Sequence, residues 1–233
     1  MISARPLLSI DNLTLSRDTM AVVKDGHLVI NKGEIVCLMG ANGSGKTTLA
    51  EMLAGLPQGY NISGSVFLNG SDLLAFSLDE RARQGLYLAF QNVPEFDAVT
   101  AETFLYEAYA AYSGSRPARG VFQTKLKELC AVVGLPYGHV ERPLFKGFSG
   151  GERKRLQLLE LLLLRPQLSI LDELDAGLDV QGLELLVTVV RTLRTEKPES
   201  SFLIITHNQA VVEALMPDRS YELINHTIVE KLS

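Results

Sequence analysis

The stretch "GANGSGKTT", Gly40 to Thr48, constrains this chain more than any other. It matches G-x-x-x-x-G-K-[ST] in full. It follows the apolar run "EIVCLM" (Glu34 to Met39) and opens a helical stretch, which is the context the pattern requires. Gly40, Gly43 and Gly45 let the backbone curl so that consecutive N–H groups face a phosphate chain, and a side chain at those positions would obstruct the approach. Ala41, Asn42 and Ser44 lie between them. Lys46 supplies a compact positive charge for β- and γ-phosphates, Thr47 supplies a hydroxyl for Mg²⁺, and Thr48 completes the loop. A glycine-rich turn without a ligand is the plainer reading, and strand, loop and helix in register leave it little room.

Three further runs, "LYLAF" (Leu86 to Phe90), "LSILD" (Leu168 to Asp172) and "FLIIT" (Phe202 to Thr206), read like "EIVCLM" as strands buried on both faces. They alternate with helical stretches, which predicts an α/β fold around a mainly parallel sheet. "LLSIDNLTL", "HLVI" and "GSVFLNG" add antiparallel strands beside it. Between Val93 and Arg165 the strand signal vanishes. "TAETFLYEAYAAYS", the turn-rich "GSRPARG" and "VFQTKLKELCAVVG" there predict a helical lobe inserted into the sheet domain. The expected organisation is a single domain, with 1–92 and 166–233 as the catalytic core plus an antiparallel β subdomain and 93–165 as a helical subdomain. Ser77 and Glu80 have capping-box spacing for a short helix ahead of the Leu86 strand.

"LSILDE" places Asp172 and Glu173 at the carboxyl end of an apolar strand, where ligands collect in open α/β sheets. Side chains alternate along a strand, so the two carboxylates are expected to do different jobs: Asp172 to hold Mg²⁺ through water, Glu173 to polarise an attacking water. Taken alone, such a pair is usually a solvated strand end; behind a full phosphate loop the functional reading prevails. His207 follows "FLIIT" and is expected at the same edge, where it could sense the γ-phosphate or orient the water. Gln91, ending the "LYLAF" segment, could contact Mg²⁺ or water and couple the lobe to the nucleotide.

"FSGGERKR", Phe148 to Arg155, sets two glycines before a charge cluster and a long apolar helix. Bare N–H groups at a helix start suit an anion. Ser149 and Glu152 also have capping-box spacing, which accounts for the helix start but not for Gly150 and Gly151 in succession. The apolar run Leu156 to Leu164 is interrupted by Glu160 and stopped at Arg165-Pro166, short of the roughly 20 residues that span a bilayer.

A hydrophobic content of 46% over 233 residues can bury a sizeable core, and a net charge of −5 with no long basic run argues against a nucleic-acid surface. "MISARPLLSIDN" lacks the apolar core of a secretory signal, so a cytoplasmic location without direct membrane insertion is expected. Cys37 and Cys130 belong to no C-x-x-C pair and are expected to be buried structural thiols.

In order, "GANGSGKT", "FQ", "FSGGE", "LSILDE", "DAGLD" and "ITH" resemble the motifs of the nucleotide-binding domain of ATP-binding cassette (ABC) proteins over nearly the whole chain. The resemblance implies ATP and Mg²⁺ as ligands. It implies Gly40 to Thr48 as Walker A, Gln91 as Q-loop, Ser149, Gly150, Gly151 and Glu152 as signature, Asp172 and Glu173 as Walker B, Asp175 to Asp179 as D-loop and His207 as switch. It also implies that the signature binds the γ-phosphate held by a second subunit, in an ATP-dependent head-to-tail homodimer.

Within that family "DERARQGLYLAFQNVPEF", "FSGGERKR", "LDELDAGLD" and "ITHNQ" look like the SufC type, the ATPase of the Suf iron-sulfur cluster assembly machinery, which implies SufB/SufD-like scaffold partners. Two alternatives stand beside it: the ATP-binding subunit of a membrane ABC transporter, and a nucleotide-dependent binding switch with negligible turnover. The chain departs from the family in having no Phe, Tyr or Trp in residues 1–59, where an aromatic commonly stacks on adenine. Weak ATP affinity and poor base discrimination are the expected result.

Overall fold

The computed structural model describes residues 6–56, 59–91 and 93–231; the first residues of the amino-terminal stretch, Asn92 of the "NVPEF" segment and the last two residues lie outside these. In chain order the elements are strands β1 (Leu8–Arg17), β2 (Met20–Ile30) and β3 (Ile35–Met39), helix α1 (Lys46–Ala54), β4 (Asn61–Leu68), the short β5 (Ser71–Asp72), α2 (Leu78–Arg83) and β6 (Leu86–Ala89). Helices α3 (Ala101–Ser113), α4 (Arg119–Val133) and α5 (Gly150–Leu164) follow. The chain then runs through β7 (Leu168–Asp172), α6 (Val180–Glu196), β8 (Ser201–Ile205), α7 (Gln209–Leu215), β9 (Arg219–Ile224) and β10 (Thr227–Lys231).

Two sheets form, one of six strands in the order β10-β9-β3-β8-β7-β6 and one of four in the order β2-β1-β4-β5. The larger is parallel from β9 through β6, with β10 antiparallel at its edge; the smaller is antiparallel throughout. The expected α/β architecture, mainly parallel with an antiparallel sheet beside it, is the one observed. The four apolar runs become strands to within a residue at each end.

Their all-apolar composition has a direct cause. On β3, Ile35 and Cys37 pack into the layer shared with α5 and α6, while Val36 and Leu38 pack toward the antiparallel sheet and α1. On β8, Phe202 and Ile204 take the first side and Leu203 and Ile205 the second. A strand covered on both faces has no position for a polar alternate.

The segment between β6 and β7 holds α3, α4 and α5, with Tyr106 of α3 set edge-to-face on Phe122 of α4 at a ring separation of 5.1 Å. The leucines of α5 from Leu156 to Leu163 are buried nearly all round, so its apolar run belongs to the interior of the protein. No helix among the described residues is long and apolar enough to cross a membrane. Both cysteines are free and buried, and burial raises their thiols, Cys37 to about 12 and Cys130 to about 11.

The hairpin of β9 and β10 is an element the sequence reading did not single out. Its two-residue turn, Asn225 and His226, places both residues at positive φ, the geometry that matches the right-handed twist of the flanking strands. The carbonyl of Leu223 on β9 sets the near wall of the phosphate loop: a Cβ at Gly40 would come within 2.6 Å of it.

Candidate functional site

Because β3, β6, β7 and β8 run parallel, their carboxyl ends meet at one edge of the sheet. There β3 runs into Gly40, β6 into Phe90 and Gln91, β7 closes on Asp172 and Glu173, and β8 runs into Thr206 and His207. A cavity of about 350 Å³ opens at this edge, lined by Asn42, Gly43, Gly45, Lys46, Thr47 and Thr48 with Gln91 and Glu173.

The three loop glycines are required for different reasons. All have positive φ, 146° at Gly40, 76° at Gly43 and 107° at Gly45. At Gly43 a Cβ would meet nothing, so only backbone conformation selects glycine; at Gly40 and Gly45 a Cβ would strike the Leu223 carbonyl and the Val22 side chain respectively. The obstruction at those two is therefore the protein itself, in addition to any bound phosphate. Gly45 caps α1 without a side-chain bond, which leaves the first N–H groups of that helix bare. Lys46 is buried and donates to the carbonyls of Gly40 at 2.8 Å and Ala41 at 2.9 Å, folding its charge into the loop it serves.

Asp172 and Glu173 are separated by more than strand alternation. Asp172 ends β7 and is 2% exposed, whereas Glu173 leaves the strand at φ 48°, so a left-handed residue turns its side chain toward the cavity. Burial pushes the Asp172 carboxyl up to about 6, against the pull of the Thr47 hydroxyl; Glu173 raises it and Lys46 lowers it. Its Oδ1 is buried without a hydrogen-bond partner.

Glu173 is the meeting point of the other site residues. The Gln91 amide donates to its Oε2 at 2.6 Å, and Nδ1 of the exposed His207 stands 3.8 Å from its Oε1. Gln91, read as a metal or water contact, thus has its amide nitrogen engaged by the carboxylate. Residues on either side of His207 are pinned: the buried Thr206 hydroxyl donates to Oδ2 of the buried Asp175 at 2.7 Å and accepts from the Asn208 N–H at 2.9 Å.

Ser149, Gly150, Gly151 and Glu152 do not line this cavity. Ser149 caps α5, its hydroxyl accepting from the Glu152 N–H at 3.3 Å while Glu152 Oε2 accepts from the Ser149 N–H at 2.8 Å. Glu152 Oε1 lies 3.1 Å from His139, and the Ser149 backbone bond, followed by the bonds to the Ser149 hydroxyl and His139, holds its carboxyl below the usual range. Arg153 pairs instead with Glu95, and Lys154 with the Ala176 carbonyl. Gly150 and Gly151 are exposed, have no positive φ, and a Cβ on either would meet nothing within 4 Å.

The ABC transporter family model matches residues 23–176. The chain belongs to that family. It is 38% identical over 228 residues to the probable ATP-dependent transporter SufC of Escherichia coli (strain K12), covering 96% of this chain and 91% of that protein. It is 37% identical over 233 residues to a probable ATP-dependent transporter of Synechocystis sp., covering 97% and 89%. This ABC ATPase is SufC-like. Its fold is similar to that of an ATP-binding cassette solved as a dimer in a post-hydrolysis state bound to ADP and Pi, with a TM-score of 0.83 at 18% identity over 96% of this chain and 97% of that one.

In the ABC ATPase fold, then, the phosphate loop, Gln91, Asp172, Glu173 and His207 share one edge, and Ser149 to Glu152, read as the signature, do not line the cavity there. Asp179, read in the D-loop, caps α6 by accepting from the Gly182 N–H at 2.8 Å. The sequence reading missed the part played by Asp175 and Thr206. The Thr preceding His207 in "ITH" was the available signal, since a hydroxyl ending an all-apolar buried strand needs a partner.

Proposed function

We propose that this SufC-like ATPase energises iron-sulfur cluster assembly from the cytoplasm, acting on soluble SufB/SufD-like scaffold partners through an ATP-driven head-to-tail homodimer. The observation that carries the reading is the pair Gly150 and Gly151: this chain has no conformational or steric use for them, and they leave bare N–H groups at a helix start away from its own phosphate loop. Ser149, Gly150 and Gly151 receive the γ-phosphate held by a second subunit, while Glu152 serves the cap and keeps its charge turned back into the helix. Residues 93–165 form the helical subdomain that carries this signature.

In each subunit the Walker A N–H groups and Lys46 bind the phosphates. Thr47 and Asp172 would hold Mg²⁺: the buried, partnerless Asp172 Oδ1 and the neighbouring hydroxyl are the hard oxygen donors that ion takes, with phosphates completing its shell. When bound, Mg²⁺ neutralises charge developing on the transferred phosphoryl group. Glu173 accepts the proton of the attacking water, with the Gln91 amide holding one of its oxygens and His207 standing near the other. The cluster is the cargo of the partners; both thiols of this chain are buried and raised away from the thiolate form.

Glu173→Gln removes the base but leaves binding intact, so gel filtration with ATP and Mg²⁺ is expected to show a trapped dimer; only monomer would overturn the reading. A second reading, the ATP-binding subunit of a membrane transporter, is favoured by the transporter names of the relatives. Pull-down from the native cell decides: soluble scaffold proteins support cluster assembly, and polytopic membrane proteins support transport.

A further inference from the structure

Helix α5 turns a buried polar face toward β6. Gln157, 3% exposed, donates from its amide to the Phe90 carbonyl at 2.9 Å. Glu160, 7% exposed, accepts from the Tyr87 hydroxyl at 2.8 Å, and the same hydroxyl reaches the Gln157 carbonyl at 3.3 Å. Tyr87 lies on β6, and Phe90 follows it immediately before Gln91.

Folding alone gives no reason for these groups. Burying an amide and a carboxyl in a leucine-rich core helix is less favourable than burying apolar side chains of the same size, and Glu160 Oε1 has no partner at all. What the amide holds is specific. The ladder between β6 and β7 ends at Ala89 opposite Leu171, so Phe90 lies past the last strand pairing and its carbonyl is held by the Gln157 amide, while beyond Gln91 the Arg153 guanidinium of the same helix reaches the Val93 carbonyl at 3.3 Å.

We propose that Gln157 is a positioning residue for ATP hydrolysis: by holding the Phe90 carbonyl it sets Gln91 against Glu173, so the placement of α5 is passed to the hydrolytic carboxylate. The helix whose first turn meets the other subunit's nucleotide thereby adjusts the base of its own site. The proposal rests on the reading of Glu173 as that base.

The test is a double-mutant cycle in the full chain, measuring phosphate release with ATP and Mg²⁺, nucleotide binding by titration, and the melting temperature. Gln157→Met removes the amide at similar volume. It is expected to lower kcat about tenfold, a modest misplacement of a positioned group, with ATP affinity within about twofold of the parent. Added to Gln91→Ala, it should cost nothing further. A parental kcat, or losses that multiply in the double variant, would overturn the proposal. If Gln157→Met does not fold, Gln157→Asn, which keeps an amide but shortens its reach toward the Phe90 carbonyl, is read by the same criteria. Glu173→Gln at the parental rate would overturn the base assignment and this proposal together; inactive Glu173→Gln beside fully active Gln157→Met would overturn this proposal alone.

Discussion

The Gln91 amide donates to the Glu173 carboxylate at 2.6 Å, so the residue that ends the β6 segment and the residue that turns out of β7 are joined across the mouth of the phosphate cavity. A carboxylate held in this way has a fixed orientation, which suits the proton-accepting role proposed for Glu173. Gln91→Ala should therefore lower kcat by roughly ten- to a hundredfold while leaving ATP affinity nearly unchanged. Phosphate release and a binding titration on the same preparation check this, and a matching loss of affinity would show that Gln91 serves the nucleotide directly.

Gly150→Ala and Gly151→Ala separate stability from function. Each glycine is in the first turn of a helix where a Cβ meets open space, so alanine should stabilise the isolated chain by about 0.5–1 kcal/mol. ATP hydrolysis should fall, because the added methyl groups cover the N–H groups proposed to receive the second subunit's γ-phosphate. Thermal melting and phosphate release, taken together, distinguish this from an ordinary helix start, at which activity would survive.

Stability is expected to decline as pH rises through the acidic range toward neutrality. Burial pushes Glu160 up to about 7 from an ordinary 4.5, with the Tyr87 hydroxyl pulling the other way. The folded chain holds this proton more tightly than the unfolded chain, so stability is highest below about 4.5, falls between there and about 7, and is level above. Asp172 acts in the same direction between 3.8 and about 6. Glu160→Gln keeps an acceptor for Tyr87 and removes that part of the slope; it should exceed the parent by at most about 3 kcal/mol at pH 8 and approach it near pH 5. Urea denaturation at the two pH values measures the difference, and equal slopes would show that Glu160 ionises at no cost.

Base discrimination should be poor. Val22 of β2 covers Gly45, Met20 on the same strand is 74% exposed, and residues 1–59 contain no Phe, Tyr or Trp. Stacking of a base on an aromatic side chain is worth ~1–3 kcal/mol, and that contribution is missing here. Titrations should give comparable affinities for ATP and GTP, whereas submicromolar, ATP-selective binding would contradict the prediction.

Much of this was legible because the signals were strong and local. Four doubly buried strands announce themselves by composition, and the phosphate loop announces itself by glycines whose φ values no other residue adopts readily. What was not legible depended on neighbours distant in sequence. The β9–β10 hairpin turns on Asn225-His226 rather than an Asn-Gly pair, so its signal was weak. The separation of Asp172 from Glu173 was expected from alternation, but a positive φ at a Glu produces it, and no local rule forecasts that. The Gln91–Glu173 contact spans 82 residues and required the sheet order to be known.

The close approach of the Leu223 carbonyl to Gly40 also bears on biosynthesis. The phosphate loop leaves the ribosome early, but one of its walls is made by β9, which is translated more than 170 residues later. A nascent chain therefore holds the whole nucleotide motif for most of its synthesis without the surface that shapes it. The wall that stands against Gly40 is completed only once β9 has been made, so the final shape of the earliest motif waits on one of the last strands.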